Sequence, residues 1–393
     1  GKVTYIGYNS IDFDEEFLRN TLFQTLEYAY LTSTNGNNRG DLLNLARAAN
    51  LYYPNTLKNS ISDKGNAVYK LDQMAPLNGI EHSDAHSAIS DVIATLGIAK
   101  IIAKKAPSVW KASLCTTNKE ETLKIIKNEL YFCTNEYFYG KSRPYVQTYV
   151  CQHPRFQWPK CFDLKHDPQI YLDMPVTDLK VAMGKNPKFL RTIRHNKHPI
   201  IMNPSYGNEF DEYKMIGAEK LALRAKMIKD NTKFAEKISQ ILQDEVEEKE
   251  QTKSQEDIYE EESIYTKFTS NEDNKMMPEF HKAEWDKKLS VLGKIKDERL
   301  HYFGRRLIYE ERPEVLPKEE YNQIRATIAK RLLSTNNEKW NTISRTYSEI
   351  DTLREKFERE GKPENLTILD DINAYVEETE KFSQFALAYF LFC

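Results

Sequence analysis

One histidine and two aspartates stand near positions where helices are expected to begin. His86 lies five residues before Asp91 in the segment GIEHSDAHSAISDV, and Asp14 lies in the segment GYNSIDFDEEFLRN. A helix start explains Ser83 and Asp84, because side-chain oxygens at that end accept hydrogen bonds from unpaired backbone N–H groups. It does not explain His86 with Asp91. Carboxylates and an imidazole are instead the groups that bind a hard metal ion and accept a proton from water.

The wider pattern is more specific than the His–Asp pair alone. A strand-like run ends in G-Y-N, the motif F-D-x-x-F follows it, and His86 comes 72 residues after Asp14. In this order the residues resemble the second and third motifs of the DEDD superfamily of 3′→5′ exonucleases, histidine subtype. The combination therefore indicates a nuclease, whereas H-x-x-x-x-D by itself is weak evidence.

This resemblance implies a role for each residue. Asp14 and Asp91 would bind Mg²⁺ from two different helices, and two metal ions would serve phosphodiester hydrolysis. His86 would deprotonate the attacking water, a task that suits a pKa near neutrality. Because side chains five positions apart on a helix diverge by about 140°, we expect His86 in the segment that leads into the helix bearing Asp91.

Several segments extend the resemblance to one family. In chain order, GYNSIDFDEEFLRN, DLLNLARA, LNGIEHSDAHSAISDVIAT, HNKHPII and LIYEERPEVL resemble exonuclease I, a family of bacterial single-strand DNA exonucleases. The resemblance covers essentially the whole chain and is weakest over residues 225–290. It implies a clamp around single-stranded DNA and release of 5′-mononucleotides. It also implies two Mg²⁺ ions in the complete protein and a partner, the C-terminal tail of single-strand DNA-binding protein.

The same resemblance predicts an α/β (α+β) fold of three domains. An incomplete ribonuclease H-like exonuclease domain would cover residues 1–106, and an SH3-like β domain with helical insertions residues 107–290. A helical C-terminal domain would cover residues 291–393. The residue patterns agree with this division, because a strand followed by helices is typical of an α/β domain, and short alternating runs after residue 130 are typical of strands.

Periodicity of the apolar residues predicts individual elements. Residues 2–9 read as a strand, and residues 13–30 and 40–53 read as helices. RPYVQTYVCQHP, KCFDLKHDPQIYLDM and HPIIMN read as strands. A helix from Asp84 to about Lys105 has one apolar face, formed by Ile89, Val92, Ile93, Leu96 and Ala99.

Two departures from the family pattern affect the expected site. The first motif of the family, D-x-E on the first strand, is expected upstream of Gly1, since Asp14-Glu15-Glu16 already serves as the second motif. Part of the metal cluster is therefore expected to be absent from the chain as given. Lys70 stands where the family has arginine, so a phosphate contact there would be made by a point charge and not by a fork.

Candidate DNA-binding residues each have an ordinary structural alternative. Asn9, Arg19 and Arg47 match family positions near DNA, although an arginine on an exposed helix is often only solvated. Tyr30 could stack on a base or fill a core. The segment KVAMGKNPKFLRTIRHNK, residues 180–197, contains no acid, which favours phosphate contacts over a plain solvated face. Its candidates are Lys185, Lys188, Arg191, Arg194 and Lys197.

Composition limits the function classes. The 393 residues carry 56 Lys and Arg against 59 Asp and Glu, so nucleic-acid binding would need local basic patches. Five cysteines without a C-x-x-C pair predict reduced thiols in a cytoplasmic protein and no zinc site. No apolar run reaches the roughly 18 residues of a membrane span, and a monomer is expected.

Two other functions stay open at this point. The first is an RNA-trimming DEDD exonuclease, although two additional domains suit long single strands better. The second is a non-catalytic clamp and adaptor, whose nuclease centre is incomplete because the first metal-binding motif is absent from the chain as given.

Overall fold

The computed structural model describes residues 2–81, 87–251 and 258–392, with side chains described up to residue 389. The chain forms two compact units. The first comprises Gly1–Arg19 and Tyr30–Asp257, and the second comprises Asn20–Ala29 and Ile258–Cys393. Both α-helices and β-strands are present, so the predicted mixed α/β fold class is confirmed. The division into three domains, including the SH3-like one, stays a prediction.

The elements before residue 106 are β1 (Thr4–Gly7), α1 (Asp14–Gln24), β2 (Asn38–Asp41), α2 (Leu42–Tyr52), α3 (Leu71–Leu77) and α4 (Ala88–Lys105). Strands β1 and β2 pair in parallel, with Thr4 opposite Asn38 and Gly7 opposite Asp41. The predicted strand and helices are present, although α1 ends at Gln24 and not near Tyr30. Gly40 and Asp41 were expected to begin a helix but end β2 instead. Its sequence, NRGD, contains no β-branched or aromatic residue, and pairing with β1 determines its conformation.

Antiparallel strands dominate the next region. Its elements are α5 (Pro107–Cys115), α6 (Lys119–Asn128), β3 (Phe132–Phe138), β4 (Lys141–Gln152), β5 (Pro159–Asp163), α7 (Gln169–Leu172), α8 (Val176–Gly184), β6 (Leu190–Thr192), β7 (Ile201–Met202), α9 (Asp211–Lys214), α10 (Ala218–Asp230) and α11 (Thr232–Gln251). The strands form one sheet in the order β6-β5-β4-β3-β7. Tyr139 and Gly140 both have positive φ, as a two-residue hairpin turn between twisted strands requires. The strand prediction for KCFDLKHDPQIYLDM is wrong after Asp163, because the chain turns there and forms α7.

The core of the first unit lies between the five-stranded sheet and the helices that cover it. Buried apolar side chains from α2, α4, α5, α8, α10 and α11 pack against those of β3, β4 and β5 in one cluster that extends from Leu42 to Leu242. In α4 the buried positions are Ala94, Ile98, Ala99 and Ile102. Most of the apolar face predicted for this helix is exposed instead, at Ile89, Val92, Ile93 and Leu96.

The second unit is helical, as predicted for the C-terminal region. After residue 257 it contains α12 (Asn271–Lys282), α13 (Lys288–Leu292), α14 (Glu298–Glu311), α15 (Lys318–Leu332), α16 (Ile343–Glu360) and α17 (Pro363–Phe392). Gly361 ends α16 in the left-handed conformation, with φ of 65°, as predicted. Phe23 packs against Phe303 with a ring-centroid distance of 5.3 Å. None of the helices described is long and apolar enough to cross a membrane.

A buried histidine connects three distant parts of the first unit. The Nδ1 atom of His198 accepts the backbone N–H of Asp41 at 2.9 Å, and its Nε2 atom lies 2.9 Å from the carbonyl oxygen of Ser113. Each ring nitrogen of the neutral imidazole thus has a hydrogen-bond partner. Burial, the larger effect, lowers the pKa of His198. A protonated His198 would lose the bond from Asp41, because its Nδ1 atom would carry a hydrogen.

We therefore expect acid to destabilise the first unit through its buried histidines. The folded state keeps His198 neutral, while the unfolded chain takes up a proton below the ordinary histidine pKa of about 6.5. The free energy of unfolding should then fall as the pH drops through that value. Burial also lowers the pKa of His153, His166 and His195, so His198→Gln should make the pH dependence shallower without removing it.

Denaturant unfolding at several pH values measures this slope. A matched control is Asn44→Ala, which removes the 3.1 Å hydrogen bond from Asn44 to the carbonyl oxygen of Lys197 but no titrating group. Asn44→Ala should lower the free energy of unfolding by the same amount at every pH. An unchanged slope in His198→Gln would contradict the prediction.

Candidate functional site

A buried carboxylate organises the region around the end of β1. Asp41 ends β2 and caps α2, and its side chain accepts the backbone N–H groups of Asn9 at 2.9 Å, Ile11 at 3.2 Å and Leu43 at 2.9 Å. Burial raises the pKa of the Asp41 carboxyl, while the three N–H groups act in the opposite direction. These bonds fix residues 9–11, which lead into the helix bearing Asp14.

Two of the predicted residues flank this loop. Asn9 has a φ of 61°, a left-handed conformation that asparagine tolerates better than most residues. Asp14 is the first residue of α1, and its side chain is exposed. The first turn of α1 contains three acids, a favourable position because the helix dipole is positive at that end. The predicted metal ligand is therefore accessible to an ion at a helix start.

The next acid, Glu15, is buried in an ion cluster. Its Oε2 atom lies 3.1 Å from Nη2 of Arg19 and pairs also with Nη1 of Arg39. The side chains of all three residues are 10% exposed or less. The Arg19 guanidinium lies 5.7 Å from the ring centre of Tyr30. Arg19 and Tyr30 are thus neighbours as a DNA-binding pair would require, but Arg19 already neutralises an internal carboxylate.

The other two catalytic candidates lie before and in α4. Asp91 is in the first turn of α4, half-buried, and its backbone N–H donates to the carbonyl oxygen of Ser87. His86 lies outside the described residues. Within the described ranges no three His, Cys, Asp or Glu side chains are grouped so that they could hold a metal ion. Asp14 and Asp91 alone therefore do not amount to a two-metal centre.

Arg47 presents a half-buried positive charge. Its guanidinium lies 3.9 Å from the ring centre of Tyr137, and Tyr8 and Tyr69 are close by. Its Nε atom is buried without a hydrogen-bond partner, and none of the carboxylates described forms an ion pair with it. Burial lowers the pKa of Arg47, while the tyrosines and the charge of Asp41 act in the opposite direction. A guanidinium without a direct ion-pair partner favours an anionic ligand such as phosphate.

The remaining cationic candidates differ in their partners. Arg191 pairs through both Nε and Nη2 with the carboxylate of Glu136. The Nζ atom of Lys197 lies 2.9 Å from Oδ1 of Asp12 and donates to the carbonyl oxygen of Ile11. These two cations therefore stabilise the fold itself. The others are exposed: Lys70 at the N-terminus of α3, Lys185, Lys188 and Arg194.

Sequence reasoning missed the residues that support these positions. Three of them were not predicted: Asp41, which binds Asn9, Tyr137, which packs against Arg47, and His198, which binds Asp41. For Asp41 a signal existed, because aspartate directly before the apolar run of α2 is typical of an N-cap. For His198 and Tyr137 the partners are 157 and 90 residues away along the chain, and no local pattern shows them.

Comparison with known proteins gives two results. The family described as "Exonuclease I C-terminal domain" matches residues 256–379. The exodeoxyribonuclease I of Buchnera aphidicola subsp. Acyrthosiphon pisum is 38% identical over 122 residues, which span 31% of this chain and 30% of that relative. The sequence match to the curated relative thus spans less than a third of its length.

Solved structures match over a much larger part of the chain. An exonuclease I from Methylocaldum szegediense superposes with a TM-score of 0.75 at 22% identity, covering 95% of this chain and 80% of that one. E. coli exonuclease I in complex with a dA16 oligonucleotide gives 0.73 at 20% identity, with the same coverage. A complex of exonuclease I with SSB-Ct gives 0.72. The resemblance to exonuclease I predicted from the sequence is therefore confirmed, and the fold is shared.

The ion cluster around Glu15 allows a stability test of the helix that begins at Asp14. Glu15→Gln removes the counter-ion that Arg19 and Arg39 share and leaves Arg19 only the more exposed Glu16 at 3.4 Å, so we expect a loss of about 3–5 kcal/mol in the free energy of unfolding. Glu16→Gln is the matched control, since Glu16 pairs with the same arginine but is only half-buried, and its loss should cost about 1 kcal/mol or less. Urea unfolding of both variants measures the difference, and equal losses would contradict the prediction.

Proposed function

We propose, from the resemblance to exonuclease I, that this protein is a 3′→5′ exonuclease that degrades single-stranded DNA to 5′-mononucleotides. One observation carries the proposal: Asp14 is the first residue of α1 and Asp91 lies in the first turn of α4, in a chain whose fold matches exonuclease I over 95% of its length. The family match over residues 256–379 supports it independently. DNA repair or recombination in the cytoplasm, by a monomer, is the proposed setting.

Divalent metal ions, with Mg²⁺ proposed, would serve the hydrolysis. Asp14 and Asp91 are the proposed ligands in this chain, because Mg²⁺ prefers carboxylate oxygens and Asp14 is exposed at a helix start. Two carboxylates do not by themselves make a two-metal centre, and the described residues contain no group of three possible ligands. In the exonuclease I pattern, the acids of a D-x-E motif would complete the cluster.

His86 is the proposed general base. The proposal rests on its residue type and its spacing from Asp91, because imidazole changes its protonation state near neutral pH. The separate position of Asp91 within α4 agrees with a division of labour in which the aspartate is fixed on the helix and the histidine precedes it.

The second candidate function is a clamp and adaptor that binds single-stranded DNA without cleaving it. No group of three possible metal ligands occurs among the described residues, which leaves this alternative open. Both functions require single-stranded DNA binding, and they differ only in hydrolysis.

Arg47 is the first proposed phosphate contact. The ring of Tyr137 packs against its guanidinium, which has no carboxylate partner in the described part of the chain. A phosphate oxygen would therefore complete its hydrogen bonding. The exposed Lys70, Lys185, Lys188 and Arg194 are proposed to follow the strand electrostatically. For Arg19, Arg191 and Lys197, which have internal acid partners, DNA contact would be secondary to their structural role.

The proposed protein partner is the C-terminal tail of single-strand DNA-binding protein. The structural similarity to an exonuclease I complex with SSB-Ct, at a TM-score of 0.72, supports this partner. Such a tail would bring the protein to DNA that is already single-stranded, which agrees with the proposed substrate.

The activity prediction separates the two functions. Incubation with a 3′-tailed oligonucleotide and Mg²⁺ distinguishes them: release of mononucleotides indicates the nuclease, and bound but intact DNA indicates the clamp. For the nuclease, Asp14→Asn or Asp91→Asn should abolish release while the thermal midpoint is kept, because each substitution removes a ligand charge from the metal site. Near-normal turnover in either aspartate variant would show that the metal assignment is wrong.

The Arg47 prediction concerns binding alone. Arg47→Met should weaken the affinity of residues 1–393 for single strands of any sequence by about tenfold and lower the salt slope by about 1, as expected for one lost phosphate contact. Lys104→Met, which removes an exposed charge near the end of α4, is the matched control. Fluorescence anisotropy at several salt concentrations measures both quantities, and equal behaviour of the two variants would remove Arg47 from the binding surface.

A further inference from the structure

Three aromatic rings stand together in the loop between β4 and β5. The rings of Phe156 and Trp158 are stacked, with centroids 4.8 Å apart and planes inclined by 19°. The ring of His153 lies 4.9 Å from that of Phe156. We call these three residues the loop aromatics. The nuclease proposal gives none of them a role.

Hydrogen bonds within the loop hold the loop aromatics in place. The backbone N–H of His153 donates to the carbonyl oxygen of Trp158 at 2.9 Å, and the N–H of Gln157 donates to the carbonyl oxygen of His153 at 2.8 Å. The Nδ1 atom of His153 accepts the N–H groups of Arg155 and Phe156. Outside the loop, Nε1 of Trp158 donates to Oδ1 of Asn196. The rings are therefore positioned before any ligand arrives, which lowers the entropy cost of binding.

Burial does not explain why the loop contains a phenylalanine at its tip. Phe156 is 49% exposed, although its backbone is tied into the loop. A phenylalanine ring that stays half exposed stabilises the fold less than a fully buried one. Such a ring suits a ligand that stacks on it.

Positive charges surround the loop aromatics. The guanidinium of Arg194 lies 5.1 Å from the ring centre of Trp158, and that of Arg155 lies 5.6 Å from the ring centre of Phe156. Burial is the main cause that lowers the pKa of Lys160, and the positive charge of nearby Lys188 also lowers it. Arg194 has no carboxylate partner in the described residues.

Among the described residues, two acids are also near the rings, the half-buried Glu245 and the exposed Glu250. Glu250 approaches Arg155 at 3.9 Å, and the two side chains are 60% and 46% exposed, so this ion pair is weak and screened by salt. The negative charge of Glu245 acts against burial and raises the pKa of His153 and of Lys160. In the described part of the chain, the four cations named above thus face two acids, an excess of positive charge that favours a polyanionic ligand.

We propose that the loop aromatics form a base-stacking site for single-stranded DNA, in which an unpaired base lies on the Phe156–Trp158 pair while Arg155 and Arg194 contact the flanking phosphates. Stacking on aromatic rings beside a basic surface is how proteins bind single strands without reading their sequence. The inference rests on the proposed function only for the identity of the ligand. It assigns the site to the antiparallel sheet and not to the helices that bear Asp14 and Asp91.

The test separates binding of the DNA bases from binding of the sugar–phosphate backbone. Residues 1–393 are titrated with oligothymidylate and with an abasic strand of equal length and charge. Phe156→Leu keeps an apolar side chain but removes the ring, and we expect it to weaken oligothymidylate binding roughly tenfold and to leave abasic-strand binding unchanged. Phe268→Leu is the matched control, since Phe268 is 81% exposed in the other unit. Quenching of tryptophan fluorescence by oligothymidylate should be smaller in Trp158→Phe.

Each outcome decides the inference. Equal affinity of the unsubstituted chain for the two strands, or an unchanged affinity of Phe156→Leu with an unchanged thermal midpoint, would overturn the stacking site and leave the proposed function intact. Failure of the unsubstituted chain to bind either strand would overturn the proposed function, and the stacking site with it. A tenfold loss confined to oligothymidylate would support the site.

Discussion

The buried carboxylate of Asp41 is the constraint on which the first unit depends. One side chain accepts three backbone N–H groups from two segments about 30 residues apart, and the N–H of the same residue is bound by His198. Burying a carboxylate without such partners would cost several kcal/mol. Because the bonds are directional, they fix the loop after β1, the start of α2 and the segment before β7 together. The position of Asp14 follows from this arrangement.

Charge in this protein is informative only where the partners are known. The overall balance of 56 cationic against 59 acidic residues says little about DNA binding. In the structure the cations divide according to whether an acid already compensates them. Arg191 and Lys197 hold elements of the fold together through Glu136 and Asp12. Arg47 and Arg194 lie over aromatic rings without carboxylate partners in the described residues, so their charge is available to a ligand.

The sequence predicted best those elements whose local pattern and tertiary environment agree. The strand β1, the helices α1 and α2 and the helical C-terminal region follow from apolar spacing and end signals such as Gly361. Strand β2 was missed because four residues without β-forming side chains depend on a partner strand. The helix α7 was missed because four residues are too few to show a helical period. The accessible position of Asp14 at a helix start was predictable from its motif. The support given by Asp41 and His198 was not, since it arises from contacts between residues far apart in the chain.

The exposed apolar face of α4 has a calorimetric consequence. Ile89, Val92, Ile93 and Leu96 are 54–74% exposed in the folded chain, so unfolding adds little newly hydrated apolar surface at these positions. The heat capacity of unfolding and the denaturant m-value both scale with the surface that unfolding exposes. Residues 1–393 should therefore have a flatter stability curve than a chain of the same length whose amphipathic helices are all covered. A segment that covered this face would make the curve steeper as well as raising its maximum.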